Sequence, residues 1–101
     1  MKKVSPCSVD KTLKIIGGKW KIIILWHLSQ ATHRFSELDK KIDGVTQKML
    51  TQSLRELEHD GLVHREVYPI VPPKVEYSLT ESGKSLEKAL KELDAWGTKN
   101  L

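Results

Sequence analysis

Apolar residues recur at helical spacing from Val9 through Leu13 to Ile16, and Gly17-Gly18 ends the run. Trp20, Ile23, Ile24 and Leu28 continue that spacing, while Ile22, Leu25 and Trp26 make this second segment apolar nearly all round. Such a helix must be enclosed by its neighbours, with Lys19, Lys21 and His27 pointing outward. A short extended stretch at 32–34 leads to Phe35, Leu38 and Ile42, the stripe of a two-turn helix for which Ser36 is the expected N-cap. Asp43-Gly44 supplies a tight turn, because glycine tolerates positive φ. Thr46 then caps a longer helix that ends at Asp60-Gly61, with Met49, Leu50, Leu54 and Leu57 expected to face inward.

Beyond Gly61 the period changes to two. Val63, Arg65 and Val67 alternate with His64, Glu66 and Tyr68, and Val75, Tyr77 and Leu79 alternate with Lys74, Glu76 and Ser78. Two antiparallel strands are predicted. Pro69-Ile70-Val71-Pro72-Pro73 cannot sustain a ladder between them, since proline has no backbone donor, and it reads as a stiff projecting loop. Thr80 caps a final helix striped by Leu86, Ala89, Leu90, Leu93 and Trp96.

This order of elements, two helices across a short turn followed by a β-ribbon, is that of a winged helix-turn-helix. The predicted fold is therefore mainly α with a small antiparallel β-ribbon, an α+β arrangement in one domain over residues 1–101. Within it, 7–29 would hold the N-terminal helices, 35–61 the helix-turn-helix, 62–79 the β-wing and 80–97 a C-terminal dimerisation helix.

The helix after Thr46 sharpens the reading. Its outer positions Thr46, Gln47, Lys48, Thr51, Gln52 and Arg55 carry no apolar or acidic side chain, and acids resume only at Glu56 and Glu58. A solvated helix face usually mixes both signs of charge. In the major groove of B-DNA, by contrast, Gln pairs with adenine, Arg or Lys with guanine, and Thr contacts either a base or a phosphate. These six residues are the candidate base readers. Lys19, Lys21, Arg34, Ser36 and Lys74 are candidate contacts to phosphate or through the wing.

Charge agrees with that placement. The net +4 of the chain is unevenly spread: residues 1–55 carry eleven Lys/Arg against four Asp/Glu, a net of +7, and residues 56–101 carry six against nine, a net of −3. A polyanion would meet the first half. The longest apolar run, Ile22 to Trp26, is too short for a bilayer, and Met1-Lys2-Lys3 lacks a signal sequence's apolar stretch, so the expected location is cytoplasmic with no membrane partner. Cys7 stands alone, which excludes an intramolecular disulfide. His27, His33, His59 and His64 have no ligand spacing, so no metal or cofactor is expected and the imidazoles should be surface or partly packed. No nucleophile motif or phosphate loop suggests an enzyme.

The motifs Ile16-Gly-Gly-Lys-Trp-Lys21, Arg34-Phe-Ser-Glu-Leu38, Thr46-Gln-Lys-Met-Leu50, Leu54-Arg-Glu-Leu-Glu58, Asp60-Gly-Leu-Val63, Tyr68-Pro69, Val71-Pro-Pro73, Val75-Glu-Tyr77 and Leu79-Thr80 together resemble the HxlR family of winged-helix regulators. The resemblance runs from about Cys7 to Gly97. It implies a homodimer joined through the N- and C-terminal helices, a recognition helix over 46–60 and a wing over 68–74. The apolar residues Val9, Leu13, Leu86, Leu90, Leu93 and Trp96 would then form the dimer contact. Some regulators that Cys7's position resembles respond to oxidants or electrophiles through one N-terminal cysteine. A thiol at a helix start, near Lys2, Lys3 and Lys11, is biased toward thiolate.

The expected activity is sequence-specific binding of double-stranded DNA, as a repressor that acts on an inverted-repeat operator, with Cys7 a candidate redox sensor and any small-molecule effector unspecified. The competing reading is a winged-helix module that binds protein through Ile70, Val71 or the last helix.

Overall fold

The computed structural model describes residues 8–101. Four helices come first, interrupted by one short strand: α1 Ser8–Ile16, α2 Lys21–Gln30, β1 His33–Arg34, α3 Phe35–Lys41 and α4 Gln47–His59. Strands β2 Val63–Tyr68 and β3 Lys74–Leu79 follow, then α5 Glu81–Lys84 and α6 Glu87–Asn100. The fold is mainly helical with a small antiparallel sheet, as the change of period from 3.6 to 2 requires.

The core is one cluster. Ile24 and Leu25 of α2, Leu38 of α3, Leu50, Leu54 and Leu57 of α4, and Val63 of β2 are almost fully buried together. The apolar α2 is the central helix, packed against α4, β3 and α6. Trp20, Ile22, Ile23 and Trp26, half-buried, pack against that core.

The sheet has three strands, in the order β1-β3-β2, where two were expected. The additional strand is the stretch before α3: His33 pairs with Tyr77 and Arg34 with Glu76. The ribbon itself is the anticipated antiparallel pair, running from Val63 opposite Leu79 to Tyr68 opposite Lys74.

Caps depart from expectation once. Thr46 and Thr80 behave as predicted, accepting from the backbone N–H of Met49 and of Gly83, both at 3.1 Å. Ser36, however, lies inside the first turn of α3. The boundary residue is Arg34, whose backbone N–H donates to Glu37 Oε1 at 2.7 Å, so the helix is closed by a carboxylate reaching back.

Three further corrections concern packing. Met49, expected inside, is 41% exposed, since Leu50, Leu54 and Leu57 already fill the inner face of α4. The single final helix is two, with a break at Ser85 and Leu86 between α5 and α6. Within the apolar stripe of α6, Leu90 is 3% exposed and belongs to the core of this chain, whereas Leu93 and Trp96 are 56% and 61% exposed.

Candidate nucleic-acid interface

Helices α3 and α4 are joined by a turn in which Gly44 adopts φ +85, a conformation that costs a Cβ-bearing residue energy and glycine little. The turn delivers Thr46 to its cap position, and α4 then projects with Leu50, Leu54 and Leu57 pinned inside. The opposite face follows from helical geometry. Gln47, Thr51 and Arg55 form one row at four-residue spacing, and Lys48 and Gln52 form the next. Thr46, Gln47, Lys48, Gln52 and Arg55 are exposed, and Thr51 is half-buried.

The phosphate and wing contacts expected around this helix fall into two groups. Arg34 and Ser36 are exposed at the start of α3. Lys19 is exposed ahead of α2, its ammonium 4.8 Å from the centre of the Trp20 ring. Lys74 is half-buried at the base of the wing, 3.6 Å from Glu76 and 4.5 Å from the centre of the Tyr68 ring. Lys21, expected among the outward phosphate contacts, is instead turned inward: its side chain is 14% exposed and its ammonium lies 2.6 Å from Glu56 Oε1. The reason is tertiary, because α2 and α4 pack side by side and bring the two residues together.

That ion pair governs local electrostatics. The hydrogen bond from Lys21 holds the Glu56 carboxyl below the usual carboxylate range, and a second hydrogen bond from Gln52 acts in the same direction. Glu37 is also held low, chiefly by the Arg34 backbone N–H. At the wing, the nearby charge of Glu76 pushes the Tyr68 phenol up, and burial does the same for Tyr77.

Between the strands, Pro69 to Pro73 projects with Ile70 54% and Val71 99% exposed. Away from α4, the six residues expected at a dimer contact come together. Val9 and Leu13 of α1 and Leu86, Leu90, Leu93 and Trp96 around α6 line one open groove. Cys7 lies outside the described residues.

Sequence reasoning missed His33. It is 3% exposed rather than at the surface or partly packed, with Nδ1 2.7 Å from the Ala31 carbonyl and Nε2 2.8 Å from the Lys41 ammonium. Its position just before a predicted helix, inside an extended stretch, was the available signal. Among the described residues no cluster of His, Cys, Asp or Glu could hold a metal ion, and no helix is long and apolar enough to cross a membrane.

Comparison with known proteins agrees with this architecture. The profile of the HxlR-like helix-turn-helix family matches residues 15–101. The chain is 57% identical over 93 residues to YdeP, an uncharacterized HTH-type transcriptional regulator of Bacillus subtilis (strain 168), covering 92% of this chain and 73% of that protein. It is 55% identical over 100 residues to YtcD, another uncharacterized HTH-type transcriptional regulator of that organism, covering 99% and 79% respectively. The solved structure of the redox regulator HypR in its oxidized form matches with a TM-score of 0.89 at 53% identity, over 94% of this chain and 98% of that one. These relatives are regulators rather than enzymes. With helix-turn-helix, wing and nearly all of its length matched at this level, the chain belongs to the HxlR-like helix-turn-helix family of transcriptional regulators.

Proposed function

We propose that this regulator reads double-stranded DNA through α4, as a homodimer on an inverted-repeat operator, and represses by occluding promoter DNA. The observation that carries the reading is the outer face of α4, where Gln47, Lys48, Gln52 and Arg55 are all exposed while the helix is anchored by three buried leucines. Thr46 and Thr51 flank that face as further base contacts. Lys19, Arg34, Ser36 and Lys74 are the phosphate or wing contacts. Good bidentate base contacts discriminate by about 1 to 3 kcal/mol each, enough for three or four such side chains to define a half-site.

The homodimer rests on the groove between α1 and α6. Val9 is 66% and Leu13 53% exposed, alongside Leu93 and Trp96. A second copy docking there removes this apolar surface from water and places two reading helices on one duplex, in half-sites about 34 Å apart. A redox response through Cys7 is supported by the likeness to HypR, a redox regulator, and by the sequence position of Cys7, immediately before Ser8.

Selection of duplexes from a random pool tests the proposal, followed by anisotropy titrations at several salt concentrations with and without a thiol oxidant. The expected result is an inverted repeat, with log affinity falling by about 0.9 per neutralised phosphate for each unit of log salt. Equal binding of the selected and random duplexes overturns it. An oxidant that leaves the affinity of wild type unchanged removes the role of Cys7.

A further inference from the structure

The Lys21 ammonium meets Glu56 Oε1 at 2.6 Å, and the side-chain amide of Gln52 donates to Glu56 Oε2 at 3.1 Å. Lys21 also donates to the carbonyl of Ile15, near the end of α1, at 3.4 Å. One carboxylate is thus gripped on both oxygens, from α2 on one side and from one turn earlier in its own helix on the other. The Lys21 end is enclosed, its side chain 14% exposed against 45% for Glu56, while Gln52 is open to solvent.

A lone Gln–Glu pair four residues apart on an exposed helix holds its geometry weakly. A carboxylate already fixed by a charge-assisted bond to an enclosed ammonium is a firmer support, since such bonds are roughly twice as strong as neutral ones. The support also has a direction. An ionised carboxylate only accepts hydrogen bonds, so Gln52 must turn its NH2 group toward Glu56. That leaves the amide oxygen and the second N–H, the acceptor and donor that adenine N6–H and N7 require in the major groove.

We infer that Glu56, locked by Lys21, is the positioning residue that fixes the side-chain amide of Gln52 and so sets which base Gln52 accepts. This role rests on the assignment of α4 as the DNA-reading helix. Lys21 then acts on recognition without touching a phosphate, and it neutralises a carboxylate that would otherwise face the polyanion beside the reading surface.

The test is duplex selection with the full chain in wild-type form and as Gln52→Ala, Glu56→Ala, the double variant, Lys21→Met and Lys21→Arg. Gln52→Ala identifies the base pair that residue 52 reads. Discrimination at that pair, about tenfold or more in wild type, is expected to fall to about threefold or less in Glu56→Ala and Lys21→Met. It should survive in Lys21→Arg, which keeps the cation, and Glu56→Ala added to Gln52→Ala should change nothing further. Preferences at the remaining pairs should persist, an outcome that general loosening of the helix does not produce. A readout without DNA is the Gln52 side-chain amide resonance, which should move to the free-glutamine position in Glu56→Ala. Should the alanine variant unfold, Glu56→Gln removes the charge at nearly constant shape and takes its place. Undiminished discrimination at that pair in the Glu56 variants overturns the inference and leaves the DNA-reading assignment standing. A wild-type chain without sequence preference overturns both.

Discussion

The Lys41 ammonium donates a hydrogen bond to Nε2 of the buried His33 at 2.8 Å, while the opposite ring nitrogen donates to the Ala31 carbonyl at 2.7 Å. The carbonyl can only accept, so Nδ1 carries the proton and Nε2 the lone pair. One neutral imidazole therefore ties the chain leaving α2 to the last turn of α3. In His33→Leu both partners lose their bonds, and the Ala31 carbonyl is left beside an apolar side chain. The expected cost is about 1 to 3 kcal/mol, measured by urea denaturation. Wild-type stability in that variant would show that the two bonds contribute nothing.

Acid should weaken the fold in two stages. Burial above all, helped by the neighbouring Lys41 ammonium, holds His27 below its ordinary value of 6.5. The unfolded chain then takes up this proton more readily than the folded one, so stability is complete above pH 6.5 and declines as pH falls beneath it. Glu37 and Glu56 are held below 4.5, so the stability they contribute is present above 4.5 and lost on further acidification. Melting temperatures across this range should show both declines, with His27→Gln removing only the first. A flat profile between pH 7 and 5 in wild type would contradict the assignment to His27.

Neighbouring leucines of α6 should behave oppositely. Leu90→Ala opens a cavity in the core of the chain and is expected to cost about 2 to 5 kcal/mol. Leu93→Ala should barely change the stability of a monomer, whereas Leu93→Asp or Trp96→Glu should drive the protein to monomers in sedimentation experiments. Dimers that persist in both charged variants would place the interface elsewhere.

Thr80 and Gly83 close the wing against the helices. Thr80 Oγ1 donates to the Gly61 carbonyl at 2.6 Å and accepts from the Gly83 N–H at 3.1 Å. Thr80→Ala should cost about 0.5 to 2 kcal/mol, and Thr80→Ser much less. A Cβ at Gly83 would overlap the Leu62 carbonyl oxygen, a backbone atom that cannot swing aside. Gly83→Ala is therefore expected to destabilise more than Thr80→Ala, and equal melting temperatures for Gly83→Ala and wild type would refute that close approach.

What could be read from the sequence was whatever local chemistry decides. Thr46 as a cap, Gly44 in the turn and the exposure of Gln47, Lys48, Gln52 and Arg55 depend only on residues within a few positions, and they stand as expected, while Thr51 is half-buried. The strand at His33 and Arg34 is two residues long, too short to show alternation, and it exists only because β3 offers it a partner. Ser36 has the right chemistry for a cap, yet Glu37 reaches back to the Arg34 backbone and places the boundary earlier. The inward turn of Lys21 was illegible for a related reason: its partner Glu56 lies on another helix, and only the packing of α2 on α4 makes them neighbours. Leu90 and Leu93 look alike in a helical stripe, and their fates separate because the core reaches one and not the other.

Arg34 is at once the end of β1, facing Glu76 of β3 across the sheet, and the residue from which α3 starts. No linker separates the strand that carries one side of the wing from the helix-turn-helix. The junction thus works like the frame of a calliper. On the proposed reading, in which the wing and α4 grip one duplex together, it sets the gap between them and favours operators whose groove matches that gap.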